Sequence, residues 1–291
     1  MKTMLTICAL IGLVTGATYA QDEDVLRPHG GGKMGGRSSN SSSSSTPIML
    51  GIEAGINYNM FSQTMNGLLP NSRFAVLQSG SGISPFVGAF IDIGLTDKLG
   101  FQVKLAYDQK KFGNTKDAII DCQVVDPVLG NISVVDASIS GEFTNTISYI
   151  DLTPQLRWNI TPEFFMLIGP TAHFQLGNGS GTFKETINSQ GDCYFNFGTA
   201  QQSKTSQINF DSLGTNTPRF GAQIDVGYKI PVSHSIFLVP KVGFQYMFTK
   251  LSEDESSFDN SKQLSTGLVP ITATNKLLHS LQFSLGLWFK L

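Results

Sequence analysis

Eleven ionisable residues sit on the polar side of alternating segments: Glu53, Asp92, Lys104, Asp108, Asp151, Arg157, Arg219, Asp225, Lys229, Lys241 and Lys290. Five are acids and six are bases, so the set is close to neutral. Two chemistries suit such a set. The residues line an aqueous channel, or they pair across a filled interior. Isolated charge removed from water is costly, which favours pairing. Hydrolytic chemistry at a membrane rim needs a nucleophile, a histidine and an acid within reach of one another. His279-Ser280 comes nearest, but adjacent strand residues point to opposite faces. His173 is predicted to face inward, His234 to lie in a turn and His29 in the tether of residues 21–46. No catalytic residue is assigned. Metal-ligand spacing is absent, and no cofactor is expected. Glu253-Asp254-Glu255 reads as a solvated loop, with contact to calcium or lipopolysaccharide-bridging cations as the alternative. Cys122 and Cys193 are 71 positions apart, which is no zinc spacing. A disulfide between them is the expectation, with two separate thiols as the alternative.

The elements that must position these residues follow from period-two alternation. In Ile48–Asn59 the even positions are apolar or small, and from Gly51 the odd ones are Gly, Glu or Asn. The same pattern runs through 87–95, 99–108, 150–160, 219–230, 241–249 and 281–291, and more weakly around 163–176. These segments make eight strands. Thr96–Lys98, Thr161–Pro162 and Ser233–Ser235 are short connections; about 61–82, 111–142, 177–217 and 251–276 are long ones. Short and long connections fall at opposite ends of an up-and-down meander. The apolar face is continuous and carries Tyr, Trp and Phe toward strand ends, while the other carries glycines and both signs of charge. That pattern predicts an all-β, eight-stranded antiparallel transmembrane β-barrel, with short periplasmic turns and long extracellular loops. A secreted lipocalin-like barrel is the soluble alternative.

Export fits this reading. Lys2, the apolar run Met4–Val14 and the small residues ending at Ala20 form a signal peptide over residues 1–20. Residues 21–46, rich in Gly and Ser, read as a flexible periplasmic tether, and 47–291 as the barrel. Charged residues make up only 14 % of the chain. Cleavage after Ala20 removes one of 20 basic residues, leaving 19 against 22 acids, a net of −3. With no basic face, nucleic acid is excluded as a partner.

Tyr149-Ile150-Asp151-Leu152-Thr153-Pro154-Gln155-Leu156-Arg157-Trp158, followed by Gly169-Pro170, resembles the PorT-like outer-membrane β-barrel family. Thr153 stands where such strands usually carry an aliphatic residue, and Leu291 where such barrels usually end in Phe. The resemblance spans roughly 48–291. It implies a barrel similar to the OmpA/OmpX group and carries no catalytic residue. Pro154, Pro170 and Pro240 fall inside strands, where each removes a ladder donor, so a bulge is expected at each.

Function is expected in the loops. The protein reads as a structural or partner-binding outer-membrane barrel whose interior is plugged by paired charges. A small-solute pore and an outer-membrane lipid-modifying enzyme are the alternatives. Expected partners are outer-membrane lipid and lipopolysaccharide, the barrel-insertion machinery, and a protein at the extracellular loops. Residues 119–139 are rich in Ile and Val; Phe183, Tyr194, Phe195, Phe197, Ile208 and Phe210 give the next loop similar character. Both loops are therefore expected to extend the strands beyond the membrane.

Overall fold

The computed structural model describes residues 48–68, 72–125, 131–188, 193, 203–209, 218–252, 256–258 and 271–291. The expected signal peptide and tether, the acidic run 253–255, and Tyr194, Phe195, Phe197 and Phe210 lie outside the described residues. In chain order the strands are β1 Ile48–Asn66, β2 Ser79–Gly94, β3 Leu99–Val125, β4 Ile132–Asn159, β5 Phe164–Ile187, β6 Ser203–Asn209, β7 Arg219–Tyr228, β8 Ile230–Pro231, β9 Ile236–Met247, β10 Ser256–Phe258 and β11 Ile271–Lys290. A short 3-10 turn, η1, spans Arg73–Gln78.

Eight of these strands close a ring in the order β1, β2, β3, β4, β5, β7, β9, β11 and back to β1, every pair antiparallel. The stagger can be read from the register. Starting at Ile48, cross-strand neighbours run through Ile93, Phe101, Leu156, Ile168, Ile224, Phe244 and Leu281, and return to β1 at Tyr58. The ring closes ten residues further up, a shear of ten. Ten residues of stagger over eight strands tilts the strands by about 40° and leaves about 16 Å between opposite backbone walls.

Three turns close the periplasmic end with one shared geometry. Leu95, Ile160 and Val232 each donate their N–H to the carbonyl four residues on, at 2.9 Å, from Leu99, Phe164 and Ile236. Thr96 and Thr161 then turn their hydroxyls back to accept from the N–H of Leu99 at 3.0 Å and Phe164 at 2.9 Å. The common sequence is an aliphatic residue, Thr or Ser, two variable residues and another apolar residue.

Outward residues are apolar and exposed around the whole ring, among them Ile52, Val87, Leu105, Leu156, Ile168, Ile224, Val242 and Leu285. Water would penalise this band, whereas hydrocarbon solvates it.

No register shift occurs at any of the three prolines, contrary to the bulge expectation. Pro240 pairs with Leu285 in an unbroken ladder. On β4 and β5, Leu152 faces Ala172 and Leu156 faces Ile168, so Pro154 falls opposite Pro170. The two residues without an N–H thus share a single gap in the ladder. Gly169 lets the backbone of Pro154 approach closely there, because a β-carbon would collide with its carbonyl oxygen. The buried hydroxyls of Thr153 and Thr171 bridge the gap at 2.9 Å. That bond accounts for a threonine in a position usually aliphatic.

Bulges occur higher up, and each coincides with a positive φ. One lies between Ser62 and Thr64 of β1, where β11 holds an extra residue near Asn275 at φ 51°. The other lies between Thr146 and Ser148 of β4, opposite Gly177 of β5 at φ 62°. Asn and Gly tolerate this left-handed backbone.

Leu285 sits on the outward face between Ala54 and Pro240. Replacing it with Arg should destabilise the barrel by about 2–4 kcal/mol if it lies near the bilayer midplane. Urea unfolding in lipid vesicles measures this. An unchanged midpoint would mean that the face does not meet lipid.

Candidate functional site: the barrel interior and the crown

Inward residues of β1 mark the height along the interior, from Met49 through Glu53, Asn57 and Asn59 to Phe61. At the periplasmic floor, Phe90, Phe165 and Trp288 pack together with ring centroids 4.9 and 5.2 Å apart. Arg157 pairs with Asp92 at 2.5 Å and lies over the Trp288 ring. Lys229 reaches the Phe165 and Trp288 rings and donates to Asn159 Oδ1 at 3.3 Å.

Above the floor, Glu53 is held between Lys104, at 3.2 Å, and Lys241. Asp225 accepts from Gln155 at 2.6 Å and from Gln223 at 2.8 Å. The next level joins six strands. Asn57 donates to Asp108 at 2.6 Å, Lys110 pairs with Asp108 at 2.8 Å and donates to Gln245 at 2.7 Å, and Gln282 donates to Asn57 at 2.8 Å. His173 Nδ1 stands 3.1 Å from Asp151 Oδ1. Asp108, Asp151 and His173 are grouped closely enough to suit a metal ion. Lys110, however, already puts a cation against Asp108.

An apolar layer lies over this network. The turn η1 brings Phe74, Val76 and Leu77 onto Phe61, Phe112, Phe143, Ile147, Tyr149, Leu251 and Leu278. Two polar bonds hold η1 to the walls, from Gln63 to the Leu77 carbonyl at 2.7 Å and from Asn114 to the Val76 carbonyl at 3.4 Å. Ser72 caps the start of the turn.

Beyond that layer the walls continue as a crown. The pairing of β2 with β3 stops at Ser81 opposite Gly113, yet β3 stays paired with β4 up to Val125 opposite Ile132. β5 follows β4 up to Ile187 opposite Ile139, and β6 adds to β5 from Thr186 opposite Ser203 down to Ser180 opposite Asn209. Twelve residues of tilted strand project about 30 Å past Gly113. Cys122 and Cys193 are bonded, with Cα atoms 5.9 Å apart, inside a cluster containing Ala118, Ala137 and Ile139.

Ten of the eleven sequence-assigned charges are buried on the inward side. Lys290 is the correction. Its parity is inward, but it ends the last strand and is exposed at the periplasmic mouth. Lys110 was missed because Lys110-Lys111 resembles the start of a solvated loop. β3 continues through it, and its even position turns it inward, 2 % exposed. His279 and Ser280 do face opposite ways. Ser280 donates to Asn59 inside at 2.8 Å. His279 lies outside, stacked on Tyr246 at 4.5 Å, its Nδ1 accepting from the Met247 N–H at 3.1 Å. His234 is exposed in a turn.

A closed antiparallel ring with an apolar exterior and a polar interior defines an integral membrane β-barrel. The model of the outer membrane protein beta-barrel domain family matches residues 38–253, and the chain belongs to that family. It is accordingly a protein of the outer membrane. Among curated proteins none matches. Among solved structures the chain is similar to Ail, the attachment invasion locus protein of Yersinia pestis, at 10 % identity and a TM-score of 0.29, over 84 % of this chain and 98 % of that one. Neisserial surface protein A is similar at 12 % identity and a TM-score of 0.33, over 83 % and 97 %. The outer membrane protease OmpT from Escherichia coli is similar at 9 % identity and a TM-score of 0.29, over 84 % and 97 %.

Removing Arg157 leaves Asp92 buried without its partner. Arg157→Ala should cost about 3–5 kcal/mol, and the double variant Asp92→Asn, Arg157→Met less, because it also removes the stranded charge. Unfolding in vesicles compares the two; equal losses would rule out pairing as the source. For the cysteines, mass spectrometry without reductant should recover the linked peptide. Closing a loop of this length stabilises by a few kcal/mol on the entropy model. Free thiols in protein taken from the envelope would contradict the bond.

Proposed function

We propose that the protein is a closed, non-catalytic barrel that anchors an extracellular binding crown. One observation carries this reading. β3, β4, β5 and β6 continue as a sheet past the point where the ring ends, leaving backbone edges that no described strand pairs. An unpaired edge binds extended chains by adding a strand. The bilayer does not require such an extension.

The paired charges serve as filling in this reading. An eight-stranded ring is only wide enough for its own side chains, and the contacts above hold these in paired groups stacked from floor to cap. A small-solute pore would need that filling to move aside. Lipid and lipopolysaccharide surround the wall, the barrel-insertion machinery assembles it, and a protein partner meets the crown. Metal, cofactor and catalytic group have no part in it.

Deleting Asp117–Ser140 removes the crown hairpin and spares the ring. The variant should fold, shown by heat-modifiable migration in detergent gels, and lose binding to cells or matrix. Unchanged binding would sink the crown reading. Planar bilayers should show no stable steps with the wild-type protein; steps of nanosiemens size would establish the pore instead.

A further inference from the structure

At the foot of the crown the seam between β2 and β3 is interrupted. Phe86 pairs with Asp108 and Ser81 with Gly113, and the four residues between them on each strand make no ladder pair. The register is the same on both sides of the gap, so no bulge causes it. Pro85 has no N–H to give to a ladder. The Gln109 carbonyl accepts instead from Ser84 and, at 3.3 Å, from Asn57, and the Lys111 carbonyl accepts from Asn59 at 2.9 Å. All three donors are buried inside the ring.

The outer side of this gap is hollow. A pocket of about 230 Å³ opens there, bordered by Lys111, Gly113 and Thr115 of β3, Ser81 of β2, and Thr144 and Glu142 of β4. Gly113 stands opposite both Ser81 and Thr144. It puts no side chain into the hollow, and a β-carbon there would collide with the Phe143 carbonyl oxygen.

The height of the pocket follows from the register. Tyr58, Tyr107, Phe174, Phe220, Tyr246 and His279 face outward. When the stagger of ten residues is spread evenly over the eight strands, these six stand within about three residues of one height. Such an aromatic belt marks the headgroup level of a bilayer. Lys111 lies on the same face four residues past Tyr107. It is therefore about 4–10 Å beyond the belt, where the charged groups of the outer leaflet begin.

We propose that this pocket holds the phosphorylated sugar of one outer-leaflet glycolipid, with the phosphate on Lys111 and the sugar ring in the hollow above it. The site lies on the wall at the foot of the crown and does not depend on what the crown edges bind.

Three zones stacked along one wall match the three parts of such a lipid. Lowest is apolar wall, where exposed Leu105 stands opposite Leu152 and Tyr107 opposite Ile150, suited to acyl chains. The Tyr107 hydroxyl bonds to the Ser148 hydroxyl at 3.0 Å, which begins the polar zone. Next comes Lys111, exposed, without an ion-pair partner among the described residues, and directly opposite Thr146. A lysine ammonium with a neighbouring hydroxyl suits a phosphate. Highest are Thr144, Thr115 and Glu142, whose oxygens accept from sugar hydroxyls. Glu142 lies four residues beyond Thr146, about 13 Å along β4. It stands directly opposite Lys184, so its charge does not oppose a phosphate at Lys111. The pocket is smaller than the roughly 300–1,000 Å³ of sites that enclose a whole small molecule. It takes one ring and its substituents, and the rest of the lipid lies along the wall.

Native mass spectrometry of the protein in detergent, titrated with lipid A or with the same lipid stripped of its phosphates, tests the site. The wild type should bind one lipid A at least about tenfold more tightly than the stripped lipid, the worth of one charge-assisted hydrogen bond. Lys111→Gln should abolish that preference and Lys111→Arg should keep it. Lys98→Gln removes the same charge from a periplasmic turn and should change nothing. Thr144→Trp fills the hollow without altering charge and should weaken both lipids. Heat-modifiable migration in gels shows that each variant folds. Equal binding of the two lipids by the wild type, or a preference that survives in Lys111→Gln, would overturn the proposal. A preference lost equally in Lys98→Gln would mean diffuse attraction rather than a site. Unchanged binding by Thr144→Trp would put the lipid outside the pocket. Inorganic phosphate at the lipid's concentration should not displace lipid A; displacement would make this a site for a free anion and overturn the glycolipid assignment.

Discussion

Closure of the ring in hydrocarbon is the constraint on which the rest depends. A lipid-exposed backbone has no solvent partner, so every strand must find a neighbour on both sides. Eight strands with a shear of ten satisfy this, and the same two numbers fix the width of the interior. Everything inward must then fit a narrow tube. The glycines show how it fits. Gly51 faces Phe90, Gly100 faces Arg157, Gly227 faces Phe165 and Gly243 faces Asp225 across adjacent strands. A β-carbon at any of these glycines would collide with the side chain opposite. The glycine excess is therefore the spatial complement of the bulky and charged residues.

Filling such a tube with apolar residues alone would be simpler, but the inward positions here are mostly polar. Their desolvation is offset by many-partnered contacts rather than isolated pairs. Glu53 faces two lysines, and Asp108 meets Asn57 and Lys110. Breaking one member strands the others, which makes the network cooperative and ties each strand's register to the rest. The aromatic floor and the apolar layer under η1 bound the polar network at its two ends. The single ladder gap at Pro154 and Pro170 obeys the same logic. Its two missing donors coincide, and a hydroxyl pair on the inward side crosses the gap.

Much of this was legible in the alternation, because a half-buried strand has only two faces. Parity alone placed Glu53, Asp92 and Arg157 inward and Leu285 outward. Parity says nothing about where a strand stops. Lys290 was therefore assigned to the interior although it passes the rim, and Lys110 was left out although β3 runs on. The prolines misled for a different reason. A lost donor matters only through its ladder partner, and the pairing of Pro154 with Pro170 depends on a register that the sequence does not display. The true bulges lie at Gly177 and Asn275, two residue types common in any loop. The repeated aliphatic-Thr/Ser-x-x-apolar turn was present in the sequence, and comparing the three short connections would have revealed it.

The crown is built from the same strands under different rules. Within the bilayer β3 has β2 on one side and β4 on the other; past Gly113, among the described strands, it pairs with β4 alone. Water can solvate the open edge, so closure is no longer enforced, and the sheet can keep an unpaired strand at little cost. Side-chain patterning changes at the same height. Outward residues give way from Leu105 and Tyr107 to Thr115 and Asp117, while the inward set becomes small or apolar, with Ala118, Ala137 and Ile139 around the disulfide. Charge on such an edge guards against random aggregation. By fixing the chain upright in the bilayer, the barrel sets the direction and height of every crown strand.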